Sequence, residues 1–151
     1  MAMNLFARPL GGYFSDKMGR RLALLIVLAG SSIGYYFLSL MGPSWSVWQV
    51  LAVVIPCSFF VQAGEGAVFA AVPLIKRRLT GQIAGMTGAY GNVGAALFLL
   101  AYSFVDAATL FMLIAACCTA VAVLVALFLE EPKGQITEIN QDGSVELIDV
   151  S

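Results

Sequence analysis

The chain is written in long apolar runs separated by short polar punctuation. Residues 22–41 hold no charged side chain, 47–72 hold only Glu65, and 83–104 and 107–129 hold none. A helix needs about 20 apolar residues to cross the hydrocarbon core, and each run reaches that length. The pattern therefore predicts four transmembrane helices. Helices apolar all round are either buried or membrane-spanning, and four buried ones in 151 residues would leave no polar surface. The first 14 residues are apolar apart from Asn4 and Arg8, and as a helix they reach only about 20 Å. That is too short to span. It reads as the end of a helix begun elsewhere, so the chain is expected to be a fragment of a larger protein or to need a separate partner half. The expected division is a membrane domain over 1–130 and an acidic tail over 131–151.

Composition and charge sharpen this picture. Hydrophobic residues make up 60% and charged residues 11%, whereas soluble domains carry roughly a quarter charged residues. Seven of the eight basic residues fall at three places: Lys17, Arg20 and Arg21; Lys76, Arg77 and Arg78; and Lys133. The alternate turns, at 42–44 and at Asp106, carry no basic residue, and Trp45 and Trp48 flank the first of them. Basic loops stay on the cytoplasmic side and tryptophans collect at interfaces. The expectation is therefore a multi-pass protein of the plasma (inner) membrane, in contact with the lipid bilayer, with residues 15–21, 76–78 and the C-terminus cytoplasmic. Short membrane-flanking clusters are not an extended basic face, so nucleic acid is not an expected partner. Cys57, Cys117 and Cys118 lie inside apolar runs and read as packing residues. With no His and no metal-ligand spacing, neither a metal nor a cofactor is expected. In the tail, residues 135–139 and 144–150 alternate polar and apolar around Asp142 and Gly143, a hairpin signal. A lone two-stranded hairpin is marginal in water.

Three features carry candidate chemistry. The first is the turn Gly12-Tyr13-Phe14-Ser15-Asp16-Lys17-Met18-Gly19-Arg20-Arg21. Gly12 and Gly19 permit close approach and positive φ, and Asp16 is placed to cap the following helix and to pair with Arg20 or Arg21. An ordinary capped turn is the plain alternative. The second feature is glycine density: Gly81, Gly85, Gly88, Gly91 and Gly94 fall within fourteen residues. At about 100° per residue, Gly81, Ala84, Gly85, Gly88, Asn92 and Ala95 share one arc of roughly 100°. Such a face lets membrane helices approach backbone to backbone, and so many glycines would weaken a helix that only packs. The third feature is charge in oil. Arg8 lies about 13 Å in from Lys17 if helical, and Glu65 lies seven residues inside the run ending at Val72. Intramembrane charges are costly and mark a substrate path, a proton relay or a buried pair. Arg8 can snorkel instead, and Glu65 can serve as a structural partner of another helix.

These residues resemble a known family. The Gly12–Arg21 turn is similar to the short cytoplasmic loops of major facilitator transporters. The run Gly-Met-Thr-Gly-Ala-Tyr-Gly-Asn-Val-Gly at 85–94 resembles the second nitrate motif of the nitrate/nitrite porters, on the eleventh of twelve helices. Residues 62–73 resemble the tenth helix of that family, and 6–12 the end of the eighth. The resemblance runs from about Asn4 to Leu129. It implies an all-α polytopic bundle forming the C-terminal part of a major facilitator fold, with the N-terminal half missing as a partner. It implies a transporter of nitrate and/or nitrite, not an enzyme, in which Arg8 contacts the anion. A guanidinium suits a planar oxyanion because it presents parallel N–H donors. Asn92 is the second substrate candidate, with interhelical packing as its alternative. Glu65 is a candidate for proton coupling. Two other readings stay open: a major facilitator transporter of another small anion or organic solute, and a small membrane scaffold whose acidic tail recruits a partner.

Overall fold

The computed structural model describes residues 2–75, 79–129, 135–139 and 145–149, with side chains over 5–72 and 79–129. Lys76, Arg77 and Arg78, the Glu130–Lys133 segment and the Asp142-Gly143 turn lie outside the described residues. Five helices follow one another: α1 Ala2–Met18, α2 Arg20–Ser39, α3 Val47–Ile75, α4 Thr80–Tyr102 and α5 Ala107–Phe128. The last four are long and apolar enough to cross a membrane, with mean hydropathy from 1.4 to 2.8 over their most apolar stretches. The 17 residues of α1 extend about 25 Å, short of a full span.

Local chemistry sets the helix ends. Gly19 breaks α1 from α2 at φ 90°, the left-handed region that a side chain disfavours. The expected cap does not form: Gly19 itself is the N-cap of α2, without a side-chain hydrogen bond. Asp16 sits in the last turn of α1 and instead faces Arg20 at 3.8 Å. Gly12 lies inside α1 with ordinary negative φ, so only Gly19 uses the expected freedom. Ser46 and Gln49 form a reciprocal capping box on α3, with Ser46 N–H donating to Gln49 Oε1 at 2.8 Å and Gln49 N–H to Ser46 Oγ at 3.4 Å. Asp106 caps α5, accepting from the Thr109 N–H at 3.1 Å and the Thr109 hydroxyl at 2.6 Å.

The helices associate through small side chains. The buried positions include Ala7, Ala23, Ala63, Ala67 and Ala115, while Phe6, Trp48, Leu99, Phe104 and Phe128 point outward. Large apolar groups face outward and small ones the protein, as expected where oil surrounds a bundle. α1 packs on α3, and α2 packs on both α3 and α5. Along the α2–α5 seam, Ser32 Oγ shares a hydrogen with Thr119 Oγ1 at 2.7 Å, Tyr35 stacks on Phe111, and the Arg21 guanidinium donates to the Ala126 carbonyl. Cys57 is buried as a packing residue, but Cys117 is exposed. Two adjacent helical residues cannot share one face, and here only Cys118 turns partly inward. In the tail, strands β1 Gln135–Ile139 and β2 Val145–Asp149 pair antiparallel from Gln135 opposite Asp149 to Ile139 opposite Val145.

Candidate functional site

Two lone charges meet where α1 crosses α3. The Arg8 Nε–H donates to Glu65 Oε2 at 2.7 Å, and an Nη2–H donates to the same oxygen. One edge of the guanidinium thus grips a single carboxylate oxygen. The other edge is not engaged by Glu65. Both side chains stay nearly half exposed, at 47% and 44%.

The crossing beneath them is built from backbone. Gly11 lies directly on the Ala63 peptide and Gly66 directly on the Arg8 carbonyl, each too close for a β-carbon. Gly12 also comes within van der Waals reach of Gly66 and Ala70, so α1 and α3 cross at close range. Ala7 and Ala67 are fully buried in the contact. A side chain at Gly11 or Gly66 would hold the helices apart and carry Arg8 away from Glu65. Two more polar atoms on these helices, Ser15 Oγ and Gln62 Oε1, are buried without a hydrogen-bond partner among the described residues. Gln62 stands three positions before Glu65, on the same helix face.

The structure treats the sequence candidates unequally. It brings Arg8 and Glu65 together. It does not bring Asn92 to them: among the described residues α4 packs only against α3 and α5, and Asn92 is exposed. The glycine face of α4 is bare, with nothing within 4 Å of the β-positions of Gly81, Gly85, Gly88, Gly91 and Gly94. Indeed α4 buries none of its residues. Gly30 and Gly34 of α2 press on the Phe60 and Cys57 side chains, while the tight backbone-on-backbone contacts fall at Gly11 and Gly66, which sequence reasoning passed over. Their signal was available, since each sits within four residues of an intramembrane charge. Of the loop motif, Gly19, Asp16 and Arg20 link α1 to α2, and Arg21 reaches α5.

Comparison with known proteins finds transporters. The chain is 42% identical to the nitrate/nitrite transporter NrtP of Picosynechococcus sp., over 92% of this chain and 29% of the relative. It is 41% identical to the NrtP of Nostoc punctiforme, over 87% of this chain and 27% of the relative. Over nearly its whole length the chain is homologous to nitrate/nitrite transporters. It is also 43% identical to the high affinity nitrate transporter 2.5 of Arabidopsis thaliana, over 62% of this chain and 20% of that protein. The chain thus spans less than a third of the length of these porters. No family model matches it. No solved structure matches it either. Its transporter homologues and four span-length helices mark it as an integral, multi-pass membrane protein, whose membrane part is an all-α bundle.

Proposed function

We propose that the chain works as the C-terminal portion of a longer transporter that moves nitrate and/or nitrite across the plasma membrane by alternating access. In this reading α1 is the end of the eighth helix, and α2 to α5 are the ninth to twelfth. One observation carries the reading: a half-exposed guanidinium lies well inside an apolar segment, with one edge not engaged by its carboxylate partner. Holding such a group away from water is costly, and an oxyanion is the ligand whose geometry matches it. Asn92 adds an amide from the bare face of α4, which the missing half covers. That face then slides during rocking of the two halves. Nitrate passes without any bond being made or broken, so no enzymatic step is involved. The basic turn at 17–21 lies on the cytoplasmic side, and the tail follows it there.

A site at the interface of two halves needs both, so this chain alone does not transport. Liposomes holding only this polypeptide are expected to show no saturable nitrate uptake; measurable saturable uptake overturns that statement. In the longer transporter, Arg8→Lys is expected to lose most nitrate uptake, because an ammonium cannot present two parallel donors. Wild-type affinity in that variant removes the oxyanion role of Arg8.

A further inference from the structure

Glu65 holds one edge of Arg8 and leaves the other to an oxyanion. A carboxylate and a nitrate both present planar, sp2 oxygens to parallel N–H donors. An anion arriving while Glu65 is ionised meets a like charge a few ångströms away, in surroundings that screen poorly. Arg8 therefore cannot be shared comfortably between the two. Among the described residues no other charge is placed to arbitrate. α1 brings Arg8 to Glu65; its Tyr13 phenol accepts from Lys17, and Asp16 and Lys17 lie two turns or more beyond Arg8. The charged residues of α2 are Arg20 and Arg21 at its far end, engaged with Asp16 and with α5. The titratable groups of α4 are the phenols of Tyr90 and Tyr102, and those of α2 the phenols of Tyr35 and Tyr36. α3 itself adds only the Cys57 thiol.

Glu65 also has somewhere else to go. Gln62 Oε1, one turn earlier on the same helix, is buried and accepts no hydrogen bond from the described residues. Helical side chains lean toward the N-terminus, so Glu65 leans toward Gln62. A carboxylate brought there would set two acceptors against each other. A protonated carboxyl would donate and satisfy both.

We propose that Glu65 is a resident competitor on Arg8, which a substrate oxyanion displaces. The displaced carboxylate takes one proton from the aqueous phase and donates it to Gln62 Oε1. Charge balances: one anion arrives on Arg8 and one proton arrives on Glu65. On release the proton leaves, and Glu65 returns to the guanidinium. Binding of the anion and binding of a proton are thereby one event. This rests on the transport reading above and adds what Glu65 and Gln62 do in it.

The test uses the intact transporter carrying this segment, in liposomes, with isotopically labelled nitrate as the probe. For the wild type, KM for nitrate rises as pH rises, because displacement needs a proton. Glu65→Gln removes the competitor: KM at pH 8 falls about tenfold or more and its pH dependence flattens. Counterflow exchange of nitrate persists in that variant, while accumulation driven by a pH gradient is lost. Gln62→Leu keeps the pH dependence but moves it to more acidic pH, since the protonated carboxyl has lost its acceptor. If Glu65→Gln fails to reach the membrane, Glu65→Asp replaces it: the shorter carboxylate holds Arg8 less well, so KM falls while the pH dependence remains. A wild-type KM and pH profile in whichever Glu65 variant is measured overturns the proposal. Arg8→Lys separates the two readings. Lost uptake there with unchanged Glu65 variants sinks only the exchange, whereas wild-type affinity in Arg8→Lys sinks the oxyanion site itself.

Discussion

Gly66 rests on the backbone carbonyl of Arg8, with no room between them for a single carbon. That contact fixes the separation of α1 and α3, and with it the reach between Arg8 and Glu65. Inserting a methyl group into packed backbone forces a shift that typically costs about 1–3 kcal/mol. Gly66→Ala and Gly11→Ala are therefore expected to lower the midpoint of thermal unfolding in detergent. Gly42→Ala, whose β-position is empty, serves as the comparison. Equal midpoints for all three variants would show that the crossing is looser than described.

The glycines of α4 make the opposite prediction in the isolated chain. Nothing lies within 4 Å of the Gly88 β-position. Replacing a helix-interior glycine by alanine gains up to about 1 kcal/mol of helix propensity when no neighbour objects. In this polypeptide alone, Gly88→Ala is expected to leave thermal stability equal or slightly higher. In the longer transporter the same change is expected to cut nitrate uptake, because the face there has a neighbour. Impaired folding of the isolated chain by Gly88→Ala would mean that the face is already occupied within it.

The transmembrane helices were legible because apolar run length is a one-dimensional property, and so were the hairpin strands, which follow from alternation around Asp142-Gly143. Partnerships are three-dimensional and were less so. Glycine density pointed to α4, yet the tight crossing uses Gly11 and Gly66, glycines on separate helices that only their meeting reveals. The Arg8–Glu65 pair was half visible. Each charge stands out in its apolar run, and opposite charges in oil seek each other, but their 57-residue separation hides which groups meet. Asp16 was half legible: its pairing with Arg20 forms, but its expected cap does not, because the loop pattern is silent on where α1 stops. α1 continues through it to Met18, which leaves Gly19 as the cap. The Ser46-x-x-Gln49 spacing is a sequence signature of a helix start and marks α3 directly.

Asp106 carries a pH dependence whose sign can be worked out. The Thr109 hydroxyl, and then the Thr109 N–H, hold its carboxyl below the usual carboxylate range. A carboxyl that is more acidic folded than unfolded stabilises the fold above its ordinary pKa of about 4, and that contribution fades as pH falls through the lowered value. Thermal unfolding of the wild type in detergent is expected to become easier below about pH 4. Asp106→Asn keeps an N-cap side chain but removes the titration, so the part of the acid loss due to Asp106 disappears. An identical acid profile in wild type and variant would show that Asp106 contributes none of it.

The tail separates transport from the scaffold reading. Among the described residues β1 and β2 pair only with each other, and neither packs against a helix. A two-stranded hairpin is at best marginal by itself, so it has little stability to lend to the bundle. If the segment belongs to a transporter whose working parts are Arg8, Glu65 and the helix faces, removing residues 131–151 should leave nitrate uptake by the longer protein within about twofold of the wild type. If the chain is instead a scaffold that recruits a partner through its tail, the same deletion abolishes function while Arg8 and Asn92 tolerate substitution. Uptake measured on the deletion and on Arg8→Lys side by side decides between them. The helix crossing at Gly66 favours the first outcome, since it positions a charged pair that a scaffold has no use for.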